Sequence, residues 1–361
     1  MTKDSTDLEF AQALGGLGQS GTETMSVGGV MLDNRVLLAP LSGISDVPFR
    51  RLARSFGAGL VVSEMVASAE FVAGDRESAL RAMRDGEGPH VVQLAGRDPH
   101  WMKAAASKLV DLGADIIDIN MGCPAKKVVG GLSGSALMRE PDLALSIVEA
   151  TVAGAGCVPV TLKMRLGWDG TSLNAADIAV RAEAAGVRMI TVHGRTRCQF
   201  YEGRADWSAI AAVKAAASIP VVANGDLTAA ADREPMLRRS GADAVMIGRG
   251  ACGRPWFPGR IAGSAKAEGL DRIGYADLVV EHYEAMIEHY GLRTGPRHAR
   301  KHLGWYIDGF RAATGTSPST DRDRIMTGTD PALVIGTLRR LFGGLSVADV
   351  EQTPPLLHQA A

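Results

Sequence analysis

The tightest constraint on this chain is a repeat of eight short apolar runs, separated by turn signals and alanine-rich stretches of helical period. The runs are VLLA from Val36, LVVS from Leu60, HVVQLA from His90, DIIDI from Asp115, VPVTLKM from Val158, MITVH from Met189, PVVAN from Pro220 and AVMIG from Ala244. Continuous apolar runs suit strands buried on both faces, and a helix between each pair makes neighbouring strands parallel. Stretches such as WMKAAASKLVDLGA, SLNAADIAVRAEAAGV and ADWSAIAAVKAA supply those helices, with apolar residues every three to four positions and glycine often at the end. Eight βα units in roughly 230 residues predict a closed (β/α)8 TIM barrel, for which about 250 residues is ordinary. An open doubly wound sheet is the rival. The first βα turn speaks against it, because PLSGISD after Ala39 lacks the GxGxxG phosphate turn.

At 361 residues the chain exceeds what a barrel of that size uses, so a second, smaller core is expected. After Gly263 the strand punctuation stops, and ADLVVEHYEAMIEHYG and PALVIGTLRRLFGGL read as amphipathic helices. The predicted organisation is a flexible extension over 1–27, a barrel over 28–264, a small all-helical domain over 265–345 and a loose tail over 346–361.

Hydrophobic residues at 46% and charged residues at 22% describe an ordinary globular protein. No uncharged apolar run approaches the roughly 20 residues of a membrane span, and Lys3, Asp4, Asp7 and Glu9 do not read as a secretory leader. The four cysteines, Cys123, Cys157, Cys198 and Cys252, lie far apart with no CxxC pair. Neither a disulfide framework nor a metal site reads from that spacing, and a cytoplasmic enzyme is expected.

Barrel enzymes carry their chemistry at the carboxyl ends of the strands. Those ends offer Pro40, Leu41 and Ser42, then Ser63 and Glu64, Gln93, Asn120 with Cys123, Lys163 with Arg165, His193 with Arg195, Asn224 to Asp226, and Gly248 with Arg249. ANGDL and IGRG close the seventh and eighth strands, where Gly225 and Gly248 let backbone N–H groups approach an anion and Arg249 adds charge. A phosphorylated ligand fits there; tight turns alone are the plainer alternative. Lys163 ends an apolar strand, so its ammonium faces the mouth or pairs with Glu64 or Asp118. His193 is either a proton shuttle or hydrogen-bond donor, or structural. Cys123 sits in INMGCPAKKV, on a loop where a thiol can serve as acid or nucleophile, with Lys126 and Lys127 nearby.

LAPLSGISDVPFR, VVQLAG, DINMGCPAKKV, GLSGSALM, LKMRLGW, ITVHGRTR, ANGDL and MIGRGACGRPW together resemble the tRNA-dihydrouridine synthases, with the closest likeness to the bacterial DusB-like branch, in order from about Val27 to Leu341. The resemblance implies an FMN-binding barrel, NADPH as a transient reductant, tRNA as substrate and a helical domain that helps hold it. It implies Cys123 as the proton donor to uridine. Pro40, Leu41, Ser42, Gln93, Lys163, His193, Asn224, Gly225, Asp226, Gly248 and Arg249 map to FMN, and Asn120, Arg165 and Arg195 to substrate. One departure is APLSG where the family commonly has APMAG; Leu41 keeps the bulk of Met. A thiol near its ordinary value of about 8.5 can donate a proton, provided Lys126 and Lys127 do not crowd it.

The run GLRTGPRHARKHLGWY from Gly291 holds Arg293, Arg297, Arg300 and Lys301 with no acid, in a chain of net charge −1. If helical from Pro296, it sets Arg297 and Lys301 one turn apart as a phosphate-binding face. Trp305 and Tyr306 read as core more readily than as base-stacking platforms. A monomer without a protein partner is expected. Two rivals are a flavin barrel for small molecules, which leaves the basic appendage unexplained, and a non-catalytic RNA-binding scaffold.

Overall fold

The computed structural model describes residues 23–351. A short hairpin, β1 (Met25–Val27) and β2 (Val30–Leu32), precedes eight parallel strands: β3 (Val36–Leu38), β4 (Leu60–Ala67), β5 (Val91–Ala95), β6 (Ile116–Met121), β7 (Val160–Arg165), β8 (Val187–His193), β9 (Val221–Asn224) and β10 (Ala244–Ile247). They pair in chain order, and β10 returns to β3 to close the barrel. Each of the eight apolar runs contributes one strand. The long alanine-rich stretches form helices at Pro99–Asp111 and Ala175–Ala184, and a shorter one at Ile210–Ala216.

Side chains alternate across each strand, which divides the barrel residues into two cores. Val36, Leu38, Val61, Val92, Leu94, Ile117, Ile119, Leu162, Ile190, Val192, Ala223, Val245 and Ile247 belong to the core shared with the surrounding helices. The other parity, Leu37, Leu60, Val62, Val91, Ile116, Met189, Val222 and Met246, fills the barrel interior together with Met25, Val27 and Leu32 of the hairpin. The hairpin thus plugs the amino-terminal end of the barrel. This corrects the flexible extension expected over 1–27: Met25 and Val27 are buried strand residues, and the GGV turn of the hairpin uses Gly28 and Gly29 at positive φ. Residues 1–22 lie outside the described residues.

Beyond Gly263 the chain is helical, with long helices at Tyr275–Tyr290, Gly295–Thr314, Ser319–Thr327 and Pro331–Phe342. They bury a core of their own around Trp256, Tyr275, Tyr283, Tyr306 and Phe342, which Phe56 of the barrel joins. That core extends past the expected boundary at 345. Val347 and Val350 are buried in a final turn of helix, Val347–Glu351, and Gly274 bridges to Ser346, so the expected tail is structured to Glu351 and its remainder lies outside the described residues. Among the described residues no helix is long and apolar enough to cross a membrane.

Candidate active site

Along the inward parity the barrel interior changes from apolar to polar toward the carboxyl ends. β6 runs Ile116, Asp118, Asn120; β7 runs Thr161, Lys163, Arg165; β8 runs Met189, Thr191, His193; β9 runs Val222, Asn224. Strand register lines these up laterally: Gln93 pairs with Asp118, Asn120 with Lys163, Arg165 with His193, and His193 with Asn224. Strand ends named from sequence therefore meet in one mouth.

On the side built by β5 and β6 the groups are neutral or acidic and tied in sequence. Thr161 Oγ1 and Gln93 Nε2 donate to Asp118 at 2.6 and 2.7 Å, and Asn120 Nδ2 donates to Gln93 Oε1 at 2.7 Å. The freed Asn120 Oδ1 accepts from the backbone N–H of Gly122 and Cys123 at 3.2 and 3.0 Å. Asn120 thereby shapes the cysteine loop. Ser135 closes it from beneath, donating both N–H and O–H to the Cys123 carbonyl at 3.1 and 2.8 Å. Gly134 must lack a side chain, because its φ is +61° and a β-carbon would lie 2.8 Å from that same carbonyl. The residue identities of GLSGSALM carry no sign of this contact.

Cys123 is half-buried, whereas Cys157 and Cys198 are exposed and Cys252 is buried, its thiol pushed up to about 12. Burial also pushes the Cys123 thiol above its ordinary value, outweighing the Ala125 N–H and the charges of Arg165 and Lys163. The cations it senses belong to the barrel. Lys126 and Lys127 are exposed on the short Lys126–Gly130 helix.

On the side built by β7 to β10 the groups are cationic. Lys163 Nζ donates to Asn224 Oδ1 at 3.1 Å rather than pairing with Glu64 or Asp118, and burial with the adjacent Arg165 charge brings it down to about 8. Asn224 is held in turn by the Met246 carbonyl at 2.8 Å. Burial and the charges of Arg165, Lys163, Arg195 and Arg249 hold His193 well below its ordinary value, so the imidazole is neutral. Gly225 has φ +120°, and a β-carbon there would strike the His193 ring and Ala205. Asp226 follows at φ +56°, which costs a non-glycine residue about 1 kcal/mol. Its carboxylate is anchored by Arg195 Nη1 and Nη2 at 2.8 and 2.6 Å, by Ala205 N–H at 2.7 Å and by Arg249 at 3.6 Å. Gly248 is partly buried, and a β-carbon there would make ordinary contact with Leu41 and Ala39 at 3.8 and 3.9 Å. Pro40 and Leu41 are partly buried and Ser42 is exposed on the loop above β3.

Arg165 and Arg195, mapped to substrate from sequence, are each 1% exposed and committed to protein. Arg165 donates to the carbonyls of Gly122, Thr196 and Phe200 at 2.7–2.8 Å, and Arg195 to Glu202, Gly203 and Asp226. Their guanidinium groups brace the loops of the mouth. Tyr201 was missed from sequence: its ring lies under Arg249 at 4.5 Å and Arg165 at 5.5 Å, and nothing in CQFYEG signals this.

The basic run does fold as a helix, Gly295–Thr314, with Arg297 and Lys301 exposed on it and Arg293 exposed before it. Arg300 points differently; it is partly buried with Nε in the interior. Lys301 reaches the mouth, since a β-carbon on Gly43 would sit 2.7 Å from its Nζ. Tyr306 is core, and Trp305 packs half-buried against Gly253.

A parallel barrel that keeps a half-buried thiol among cations at the carboxyl ends of its strands is a (β/α)8 enzyme by architecture and by where its reactive groups lie. Residues 37–320 match the family model described as dihydrouridine synthase (Dus). A probable tRNA-dihydrouridine synthase of Rhizobium leguminosarum bv. phaseoli is 59% identical over 305 residues, 84% of this chain and 94% of that protein. The tRNA-dihydrouridine synthase B of Pseudomonas aeruginosa is 46% identical, over 78% of this chain and 86% of its own length. The chain belongs to the dihydrouridine synthase family. Solved structures share the barrel at low identity: histamine dehydrogenase from Rhizobium sp. 4-9 superposes with a TM-score of 0.54 at 13% identity, covering 90% of this chain and 65% of that one.

Proposed function

We propose that this enzyme reduces the 5,6 double bond of uridine in tRNA, with FMN bound in the barrel mouth and Cys123 as the acid. The observation that carries the reading is a half-buried thiol, on a loop whose backbone Asn120 and Ser135 hold, in the same mouth as the cationic layer. The donor set fits FMN: Lys163 and Arg249 offer positive charge, Gly248 lies beside Leu41 with no side chain of its own, and Asn224, Gly225 and Asp226 form a braced turn beside them. Pro40, Leu41, Ser42, Gln93 and His193 complete the proposed contacts around the flavin. When bound, FMN supplies the hydride for carbon 6 of uridine, having taken it from NADPH.

Cys123 delivers the proton to carbon 5, a task that a thiol kept neutral by burial can perform at neutral pH. Asn120 has one N–H and its loop-shaping carbonyl beside the base, and is read as orienting uracil as well as the cysteine. Arg165 and Arg195 act on the substrate through the loops they brace. Arg293, Arg297, Arg300 and Lys301 are read as the phosphate-binding group, with Arg293, Arg297 and Lys301 exposed. A uridine entering the mouth must leave its stack, at a cost of about a few kcal/mol that favours loop positions. The protein is read as a cytoplasmic monomer.

Two measurements test this. Purified protein should be yellow and release FMN on denaturation; colourless protein that FMN cannot reconstitute would refute the cofactor. Mapping dihydrouridine in RNA from cells lacking the gene should show loss at defined tRNA positions, and an unchanged map would refute the substrate.

A further inference from the structure

The helical region docks on the barrel through a buried polar cluster outside the proposed catalytic mouth. Asp46 caps the Val47–Ser55 helix, His282 lies on Tyr275–Tyr290 and His302 on Gly295–Thr314, and they are 3%, 1% and 1% exposed. One potential ligand atom from each lies within 4.8 Å of the others. The Asp46 carboxylate accepts from Phe49 N–H at 3.0 Å and Tyr290 O–H at 3.1 Å, which leaves a lone pair on each oxygen. His282 Nδ1 lies 2.9 Å from the Tyr306 hydroxyl, but His282 Nε2 and both nitrogens of His302 have no partner. An unsatisfied buried polar atom is destabilising, so three in one cluster call for a ligand.

We infer that Asp46, His282 and His302 bind a divalent transition cation of the zinc type, which fastens the helical region to the first helix of the barrel. Imidazole nitrogen with carboxylate oxygen is a zinc donor set, and three protein donors leave a solvent oxygen for the fourth corner. In His282 an Nδ1–H donated to Tyr306 would leave the Nε2 lone pair for the metal, which is how outer partners orient ligating histidines. Phe49 packs on both rings, at 5.9 and 5.2 Å between centroids, and keeps them in place. Cysteine spacing predicts no metal site in this chain. This one uses no cysteine, and its ligands come from three helices that only the folded chain brings together.

The test uses the full-length flavoprotein, stripped with a chelator, reloaded with zinc and passed over a desalting column before elemental analysis. About one zinc per chain should remain, and its addition should raise the melting temperature by about 5 °C at a hundredfold excess over Kd. Retention below about a tenth of an equivalent overturns the inference, as it would if a water fills the cluster. His302→Ala and Asp46→Asn, confirmed folded by circular dichroism, should retain zinc at least tenfold less tightly, while His289→Ala outside the cluster keeps it; equal retention in the cluster variants overturns it. If neither cluster variant folds, zinc X-ray absorption of the wild type decides. Two imidazoles with oxygen support the site, and sulfur or oxygen donors alone refute it.

Discussion

The two halves of the barrel mouth are built on opposite electrostatic plans. β5 and β6 contribute Gln93, Asp118, Asn120 and the Cys123 loop, a chain of neutral and acidic groups that satisfy one another. β7 to β10 contribute Lys163, Arg165, Arg195 and Arg249, whose charges press on a neutral His193. In the proposed reaction the first half would orient a proton donor and a base, and the second would hold an anionic cofactor. Keeping them apart lets Cys123 stay protonated a strand away from Lys163 and Arg165, because burial outweighs their pull.

The largest expected effect lies in the first half. Cys123→Ala should leave flavin content and NADPH oxidation intact and cut uridine reduction about 10²–10⁴-fold, the usual worth of a positioned acid. Single-turnover reduction of tRNA by pre-reduced enzyme measures this directly. An unchanged rate would remove Cys123 from the chemistry and erase the contrast between the halves.

Next is the ion cluster of the second half. Asp226→Ala would strand Arg195, which is 1% exposed, without its carboxylate. Breaking a fully buried pair costs about 3–5 kcal/mol, and with Asp226 one-quarter exposed about 2–4 kcal/mol is expected. Urea denaturation should show it together with weaker flavin retention. A stable variant with normal flavin content would mean that the Asp226 turn is not held by these arginines.

Lys163 gives a smaller effect with a pH signature. At about 8 in the ligand-free chain, its ammonium is present at pH 7 and is lost as pH rises through 8. FMN affinity should therefore fall between pH 7 and 9. Lys163→Met should weaken binding about 10–100-fold at pH 7, as for a lost charged hydrogen bond, and flatten that decline. Fluorescence titration with FMN follows both, and an unaltered pH profile in the variant would assign the titration elsewhere.

How much of this the sequence discloses depends on distance along the chain. Strands of continuous Val, Ile and Leu with helices between them leave few alternatives to a closed barrel, and the strand-end residues name most of the mouth. Period-two parity carries more, since Ile116, Asp118 and Asn120 already trace the change from apolar plug to polar mouth. The extension was misjudged because Met25 and Val27 are too few to form a core alone; only the open end of a barrel gives them one. A strand-end arginine such as Arg165 or Arg195 looks free in sequence, whereas most of its partners are backbone carbonyls of other loops. Carbonyls leave no trace in residue identity. The same holds for Tyr201, placed under two arginines by a loop whose composition shows no sign of it.

The smallest effect concerns how the helical region bears on the mouth. Lys301 brings a cation to Gly43, on the loop above β3, whereas Arg297, one turn earlier, stays on the outer surface. If both meet phosphates, Lys301→Ala and Arg297→Ala should each lower the salt slope of tRNA binding by about 1. They should differ in catalysis. Of the two, only Lys301 adjoins the mouth, so its loss should also reduce kcat, by about threefold to tenfold for a modest misplacement of the base. Arg297→Ala should change KM alone. Filter binding at several salt concentrations and steady-state kinetics separate the two, and equal kinetic behaviour would make Lys301 an outer phosphate contact with no part in the mouth.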